Sequence, residues 1–504
     1  MAMQKAETNS KYEAIMNLAQ RRSLFFPSSP LYYPHATPAG LWDYGPYGAA
    51  IRRKVIDLWR KDLVQKENFL EIYGSQIMPA AVFQASGHLT SLVDPITLCQ
   101  KCHAIYRADK LITEVTKKHV PEAMEEKEFD ELIKKNKIVC QKCKSYLTPV
   151  KKFNMMVSSP LGIGKQQECY LRPETCQTIF VDFDQLMKTM RIKLPQGISQ
   201  VGRSFRNEIS PRQGILRAVE FSQMETEVFF NPEKINELEN FEEVENYKVR
   251  VLLQKEKEIK EISAKELVSK KIVSGRLVAY YLARVQQLYE KYGLPIKALR
   301  FREVAANDRA FYSKETWDFE VETSLGWLEL IANNYRTDYD LKGHGQASKK
   351  DLSVLDENNK RFIPHVWEIS IGVDRTFYAI LEHAYREEGE GEKKRVFLSL
   401  KPQLAPIDFC IFPLVSKEGL PEKAREIYQE LRQCYSVFYD ETGSIGKRYA
   451  RADEVGVPFC LTVDFDSLND YAVTIRERDS VEQKRVKIKD LKNTIYRLLI
   501  GEKF

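Results

Sequence analysis

The most constraining stretch of the sequence is a pair of strand-like runs joined by a basic loop, GRSFRNEISPRQGILRAVEFSQMETEVF, residues 202–229. Side chains two apart share one face of a strand, so a hairpin would place Arg206, Phe221 and Glu225 above the same sheet surface, with Glu208 alternating on the first strand. The basic side chains of the connecting loop are Arg212 and Arg217. Guanidinium groups suit phosphate and a carboxylate suits an exocyclic amine. Taken alone, the residues fit either a nucleotide platform or an ordinary basic hairpin.

Length and composition limit the class of protein. A chain of 504 residues predicts about two to four globular units, and 43% hydrophobic with 29% charged residues argues against disorder. No apolar run approaches the ~18–20 residues that span a bilayer, which excludes a transmembrane protein. The first residues lack the apolar core of a signal peptide and the arginines of a transit peptide, so we expect a cytoplasmic protein. The net charge of +6 permits a polyanionic partner without requiring one.

Two cysteine pairs, Cys99-x-x-Cys102 and Cys140-x-x-Cys143, flank a stretch rich in Lys and Glu. Nine cysteines without a secretory signal do not suggest a disulfide framework, whereas two such pairs can form a tetrahedral zinc site. The spacer is longer than the ~15–20 residues of the commoner form, so a helical excursion would have to fill it. Structural zinc is favoured over four unpaired thiols. Four thiolates leave no open position for catalysis.

The pattern along the chain predicts six segments. Residues 1–95 contain a helix from Tyr47 to about Gln65. Residues 96–150 form the cysteine module and residues 151–230 carry the hairpin. A stretch at 231–300, dense in Glu and Lys near its start, predicts a solvated helical pair. Strands resume in 301–400, and 401–504 alternates strands and helices as an α/β unit with a mixed sheet. Periodicity alone gives only a mixed α/β fold.

The 202–229 segment closely resembles the second signature motif of class II aminoacyl-tRNA synthetases, in the form found in homodimeric glycyl-tRNA synthetases. GLWDYGPYGAAIRRKVIDLW through Pro79 resembles the first motif, LRPETCQ (171–177) the Arg-Pro-Glu-Thr segment, and HVWEISIGVDRTFYAILEHAY (365–385) the third motif. LAPIDFCIFPLV and DETGSIGKRYARADEVGVPFCLTVDFD resemble the anticodon-binding domain. The resemblance covers most of the chain in order. It implies an α+β fold, an antiparallel catalytic sheet with helices followed by a C-terminal α/β anticodon-binding domain.

The resemblance also implies an activity: glycine is activated with ATP to glycyl-adenylate and transferred to tRNA(Gly). Arg206 would bridge the ATP α-phosphate and the amino-acid carboxylate, with Arg375 as the second catalytic arginine. Glu208 would accept from the adenine amine, and Glu329 would hold the Mg²⁺ that accompanies ATP. The full set implied for ATP is Arg206, Asn207, Glu208, Arg217, Ala218, Phe221, Glu329, Leu330 and Arg375.

Glycine offers no side chain, so a selective pocket must bind its ammonium group and fill the space beside its α-carbon. The residues that the resemblance implies around glycine are Arg107, Glu174, Glu225, Glu368 and Ser370. Clustered carboxylates raise one another's pKa unless a cation lies between them, so we expect a neighbouring arginine or a water there. Cys176 stands where the family usually has alanine, Ile369 replaces a common proline, and Asp374 stands where glycine is frequent.

For tRNA, Lys447, Arg448, Arg451 and Arg476 are candidates, against the alternative of ordinary solvated helix charges. Two rivals remain. Synthetases for histidine, proline or threonine share the terminal domain, but the Arg-Pro-Glu-Thr segment with Glu368 and Ser370 disfavours them. A non-catalytic relative on the same scaffold would be expected to lose Arg206, Glu208 or Arg375, and all three are present.

Overall fold

The computed structural model describes residues 2–32, 39–121, 124–163, 167–209, 211, 213–391 and 394–503, with side chains from residue 11 onward. The helices are α1 Ala2–Arg21, α2 Pro46–Trp59, α3 Ala80–Ala85, α4 His88–Ser91, α5 Ala108–Thr116, α6 Glu126–Lys135, α7 Cys176–Met190, α8 Ala264–Ser269, α9 Arg276–Lys291, α10 Tyr339–Ser348, α11 Val373–Ala384, α12 Leu420–Leu431, α13 Ile445–Glu454, α14 Ser467–Asp470 and α15 Leu491–Leu499.

The strands are β1 Phe25–Pro27, β2 Trp42–Tyr44, β3 Leu70–Ile72, β4 Ile77–Pro79, β5 Val93–Leu98, β6 Ile105–Arg107, β7 Lys151–Asn154, β8 Val157–Ser158, β9 Cys169–Leu171, β10 Gln196–Phe205, β11 Glu220–Phe230, β12 Lys248–Leu252, β13 Lys260–Ser263, β14 Leu299–Glu303, β15 Glu315–Thr323, β16 Gly326–Thr337, β17 Val354–Leu355, β18 Arg361–Phe362, β19 His365–Gly372, β20 Tyr385–Glu388, β21 Arg395–Leu398, β22 Phe409–Pro413, β23 Val437–Tyr439, β24 Phe459–Val463, β25 Ala472–Glu477 and β26 Gln483–Lys487.

A nine-stranded sheet forms the centre of the protein, in the order β13-β12-β14-β15-β16-β19-β11-β10-β3. All neighbouring strands from β14 to β10 in this order pair antiparallel. Strand β12 pairs parallel with β14, and β3 pairs parallel with β10 at the edge of the sheet. The expected α+β class and mainly antiparallel sheet are therefore confirmed. Helix α2 also begins and continues as expected, since a π-helical turn at Arg60–Gln65 follows it directly.

Strand β11 shows why the two faces of this sheet differ. Met224, Val228 and Phe230 belong to the large core that includes α2, α9 and α11, whereas Phe229 packs with α7 on the opposite face. Because side chains alternate along a strand, Glu225 and Glu227 share the α7 face with Phe229. The sequence of this one strand therefore supplies a packed core on one side and a row of carboxylates on the other.

Residues 231–300 correct the expectation of a solvated helical pair. Strands β12 and β13 extend the central sheet, and every residue of α9 from Leu277 to Gln286 is buried. The Lys and Glu residues that suggested solvation lie mainly before α9, while its own sequence RLVAYYLARVQQLY is apolar over most of its circumference. A helix of that kind is a core helix rather than a solvated one.

The cysteine module has its own three-stranded sheet, β6-β5-β7, and a small core between α5 and α6 built from Leu111, Ile112, Phe129 and Ile133. Helix α6 provides the helical excursion expected between the two cysteine pairs.

The C-terminal unit is a five-stranded mixed sheet, β23-β22-β24-β25-β26, as the alternation of strands and helices predicts. Its first three strands are parallel and the last two join antiparallel. Ion pairs that connect this unit to the rest of the chain include Lys54 with Asp408 at 2.8 Å and Arg395 with Asp453 at 3.0 Å. Arg21 and Arg22 also both pair with Glu454. Among the described residues, we find no helix long and apolar enough to cross a bilayer.

Candidate active site

The register of β10, β11, β19 and β16 brings the separate motifs together on one face of the sheet. Glu225 lies opposite Gln200 on one side and Ser370 on the other. Glu368 lies opposite Glu227 and, across the next pair, opposite Asn334. Segments far apart in sequence therefore meet in adjacent rows.

A cluster of buried acidic groups occupies this face. Reactive atoms of Cys176, Glu225, Glu227 and Glu368 all lie within 4.8 Å of one another, and all four side chains are buried. Glu174, also buried, accepts a hydrogen bond from the Cys176 thiol at 2.8 Å. We call Glu174, Glu225, Glu227 and Glu368 the carboxyl cluster. Three of its members were predicted from the sequence. Glu227 was missed, although its position two residues after Glu225 on one strand face was the available signal.

One cation, Arg336, lies fully buried against this cluster. Its guanidinium donates to Glu368 Oε1 at 2.7 Å and to both oxygens of Asp340 at 2.7 and 2.9 Å. The guanidinium carbon lies 3.7 Å from the centroid of the Tyr312 ring. The expectation of a neighbouring arginine is confirmed. No local motif marks Arg336, because its role depends on strand pairing between β16 and β19.

The charges are balanced unevenly within the cluster. Burial alone would raise the pKa of Glu174, but His88, at 3.1 Å, and Arg336 hold it well below its ordinary value. Burial raises the pKa of Glu368 to about 8 despite the opposing charge of Arg336, and the neighbouring Glu225 and Glu174 raise it further. Burial and Glu174 also raise the pKa of Glu225. The pocket therefore holds more acidic groups than its cations neutralise, which is an environment that attracts an ammonium group.

The hairpin residues lie beside the carboxyl cluster and are more accessible. The Arg206 guanidinium donates to the carbonyl of Pro173 at 3.1 Å and lies 5.5 Å from the centroid of the Phe221 ring. Arg217 donates to Glu208 Oε2 at 2.8 Å. Arg206 and Phe221 therefore lie next to each other, as the predicted hairpin requires, and Glu208 and Arg217 bind each other. Arg212 lies outside the described residues.

Arg375 and Glu329 adjoin this surface. Arg375 donates to the carbonyls of Glu329 at 3.0 Å and Leu216 at 3.2 Å, and its guanidinium lies 3.7 Å from the Glu329 carboxylate. The Glu329 side chain is exposed. Burial and Glu329 together raise the pKa of the neighbouring Asp318 to about 7.

The remaining predicted ATP residues are Ala218, Leu330 and Asn207. Ala218 and Leu330 are buried. The Asn207 amide donates to the carbonyl of Met155 at 2.8 Å, and its side chain is exposed.

The four cysteines of the module converge. Cys99 and Cys143 have sulfur atoms 3.3 Å apart, and those of Cys102 and Cys140 are 3.5 Å apart. Tetrahedral zinc with bonds of ~2.3 Å separates its sulfur ligands by about 3.8 Å. The donor set therefore fits zinc, and these two sulfur pairs would have to move apart by only a few tenths of an ångström to bind it. Next to the module, Arg107 pairs with Asp94 at 3.0 Å and Asp109 at 2.8 Å.

The four tRNA candidates fall into two groups. Lys447 is exposed, and Arg451 is partly exposed and pairs with Asp440. Arg448 is buried and donates to backbone carbonyls, while Arg476 is buried in a two-point pair with Asp453 at 3.0 Å. Burial is a physical argument against both Arg448 and Arg476 as phosphate contacts, and for Arg476 the two-point pair with Asp453 adds to it.

Family models of known proteins match two separate regions of the chain. The family profile of the tRNA synthetase class II core domain (G, H, P, S and T) matches residues 161–384, and that of the anticodon binding domain matches residues 408–498. A glycine–tRNA ligase of Methanocaldococcus jannaschii is 38% identical over 95% of this chain and 97% of its own. Those of Methanothrix thermoacetophila and Pyrococcus abyssi are each 36% identical over at least 97% of both chains.

Among solved structures, a prolyl-tRNA synthetase from Cryptosporidium parvum matches 96% of this chain and 76% of its own, with a TM-score of 0.57 and 13% identity. At that identity the likeness concerns the fold alone.

Proposed function

The chain belongs to the glycine–tRNA ligase family of class II aminoacyl-tRNA synthetases, and from this premise we propose that it activates glycine with ATP and transfers the glycyl group to the 3′ end of tRNA(Gly). The observation that carries the assignment of glycine is the buried carboxyl cluster beside Arg206. This cluster has more acidic groups than cations, and the ammonium group of glycine would supply the missing positive charge.

The carboxyl cluster and the hairpin divide the recognition of glycine. Glu174, Glu225 and Glu368, with the hydroxyl of Ser370, would surround the ammonium group, and Arg206 would bind the carboxylate. The buried Cys176 and the strand side chains around it would leave little room for a methyl group. Overpacking of that kind excludes alanine more strongly than the ~1–3 kcal/mol typical of a missing methylene. Arg107 stays a candidate for contact with glycine or the acceptor end of tRNA.

Adenylate formation brings two anions together, since the glycine carboxylate attacks the α-phosphorus of ATP. The work of the protein is therefore positioning and charge neutralisation, and no protein nucleophile is required. Arg206 would neutralise the α-phosphate and the attacking carboxylate at once, while Arg217 and Arg375 would bind the outer phosphates. Glu329 would hold Mg²⁺, which when bound offsets phosphate charge. Phe221 and Glu208 would bind the adenine by stacking and by accepting from its amine.

ATP binding requires a rearrangement of the free site. Arg217 and Glu208 are paired in the free protein, so they must separate before one meets phosphate and the other meets adenine. The pair is partly exposed, and separating a partly exposed ion pair costs a free energy of about 0–1 kcal/mol. The C-terminal unit would bind the anticodon, with Lys447 and Arg451 as the accessible basic side chains.

The cysteine module would hold one structural zinc through Cys99, Cys102, Cys140 and Cys143. When bound, the metal ties the two ends of the module together and stabilises a small core.

Two further features concern assembly and compartment. Tyr73 and Ile77 of the first motif are exposed, which supports a homodimer formed through this segment. All nine cysteines lie in the described part of the chain and none is in a disulfide, which suits the reducing cytoplasm.

The assignment is tested by ATP–pyrophosphate exchange with each of the twenty amino acids in parallel, followed by charging of tRNA(Gly). We expect exchange with glycine alone. Exchange that prefers proline, histidine or threonine would overturn the choice of amino acid, and no exchange with any amino acid would favour a non-catalytic relative.

A further inference from the structure

Glu227 is a buried carboxyl group that the chemistry proposed above does not use. It follows Glu225 by two residues on β11, shares its face, and lies opposite Glu368 on β19. It is fully buried, and neither of its carboxyl oxygens has a hydrogen-bond partner among the described residues.

The other acidic groups of the pocket each receive a donor. Glu368 accepts from Arg336 and from Asn334, the latter at 2.5 Å. Glu225 accepts from the Thr175 hydroxyl through one oxygen. Glu174 accepts from the Cys176 thiol and also contacts His88. Glu227 differs from its neighbours in this respect, so its ionised form has the least stabilisation.

An ionised carboxylate buried without donors costs several kcal/mol, and such a group takes up a proton instead. Burial and the adjacent Glu368 raise the pKa of Glu227 well above its ordinary value, against the opposing effect of Arg336. Besides the two oxygens of Glu227, Glu225 Oε1 also has no partner, so the cluster holds both an unpartnered acceptor and a carboxyl group that could donate.

We propose that Glu227 carries a proton in the empty pocket and that the ammonium group of glycine expels it, so that glycine binding releases a proton to solvent. The inference rests on the proposed function, because it requires glycine to bind at the carboxyl cluster. One positive charge enters and another leaves, which keeps the buried charge nearly constant.

The proton balance depends on every charged or titratable group that faces Glu227 from the surrounding elements. These are Glu225 on β11, Glu368 on β19, Arg336 on β16, Asp340 on α10, Cys176 on α7, and Glu174 in the preceding loop with its partner His88. Of these, Arg336 is a permanent cation and already has Glu368 and Asp340 as partners. It therefore cannot replace the ammonium group.

The sign of the pH dependence follows from linkage. A ligand that expels a proton binds more tightly as the pH rises, by about tenfold per unit when one proton is released. The dependence ends once Glu227 is already ionised in the empty protein. The Kd for glycine should therefore fall between about pH 6 and 8, where the ammonium group of free glycine stays protonated.

Calorimetric titration with glycine in two buffers of different protonation enthalpy at pH 7 counts the protons directly. We expect about one proton per glycine for the wild-type protein and less than half of that for Glu227→Gln, whose amide has no proton to lose. Its Kd for glycine should also vary less with pH. Glu322→Gln is the matched control, because Glu322 is an exposed glutamate of the same sheet, and it should behave as wild type.

A wild-type proton count near zero, or an undiminished count in Glu227→Gln, would overturn the inference while leaving the proposed function intact. The wild-type count keeps the inference falsifiable even if the variant fails to fold. Glycine binding of unchanged affinity in Glu225→Ala would overturn the pocket assignment and this inference together.

Discussion

The two ends of the candidate site are built differently. At the proposed glycine end, Glu225 and Glu368 are buried, and the fully buried Arg336 pairs with buried carboxylates. At the ATP end, the cations and anions are partly exposed, as in the pair of Arg217 with Glu208 and that of Arg375 with Glu329. On the proposed assignment, glycine would meet a preformed pocket, whereas ATP would meet side chains that have to exchange partners. A ligand without a side chain makes few contacts and gains little binding free energy. A pocket that had to reorganise would use up much of that gain, so a preformed pocket favours binding.

The largest effect is expected when a buried acidic group is removed from the proposed glycine end. Glu225→Ala should lower glycine-dependent ATP–pyrophosphate exchange by about a thousandfold, because losing a partner of a buried charge costs about 2–5 kcal/mol. ATP binding, measured separately by fluorescence or calorimetry, should survive. Glu322→Ala, on an exposed position of β15, is the control. Wild-type exchange in Glu225→Ala would show that the glycine end lies elsewhere.

The second test compares one arginine from each end. Arg336→Met should destabilise the protein by about 3–5 kcal/mol, because it leaves Glu368 and Asp340 without their buried cation. Arg217→Met, from a partly exposed pair, should change the free energy of unfolding by about 0–1 kcal/mol. Urea denaturation measures both. Equal effects would remove the distinction between a preformed and a rearranging end.

A smaller effect is expected on substrate binding at the ATP end. Arg217→Ala should raise the KM for ATP by about tenfold, equivalent to ~1.4 kcal/mol for one charged contact, and leave the KM for glycine nearly unchanged. Steady-state exchange kinetics with each substrate varied in turn separate the two values. A parallel rise in both KM values would mean that the two ends are coupled.

The smallest effect on either end should come from the cysteine module, which has a core of its own. Cys102→Ser should lower the zinc content from about one per chain to near zero and reduce the thermal stability of the module. Elemental analysis and hydrogen exchange across residues 96–150 measure these changes, with Cys434→Ser, an exposed cysteine outside the module, as the control. A wild-type protein that contains no zinc and whose residues 96–150 are still protected from hydrogen exchange would contradict the assignment of a structural zinc.

The residues that sequence could predict share a local pattern. Arg206, Phe221 and Glu225 follow from the alternation of two strands joined by a loop, and the structure places them on one sheet face. The same alternation should have drawn attention to Glu227, but nothing in a single strand shows that its oxygens would lack donors.

Other features depend on pairing between distant segments. Arg336 matters because β16 lies next to β19, and His88 because α4 reaches Glu174. Arg448 and Arg476 looked like surface charges, yet tertiary contacts bury them. The 231–300 segment was misjudged because its charged beginning hid an apolar helix. In each case the deciding fact was which element packed against which, and a local pattern does not contain it.

The most direct test of the account is a crystal structure with a non-hydrolysable glycyl-adenylate analogue. The account predicts the ammonium group within hydrogen-bond distance of Glu225 and Glu368, the α-phosphate mimic on Arg206, and the Glu208–Arg217 pair separated. An analogue whose ammonium group lies away from Glu225 and Glu368, or a hairpin left empty at saturating analogue, would contradict it.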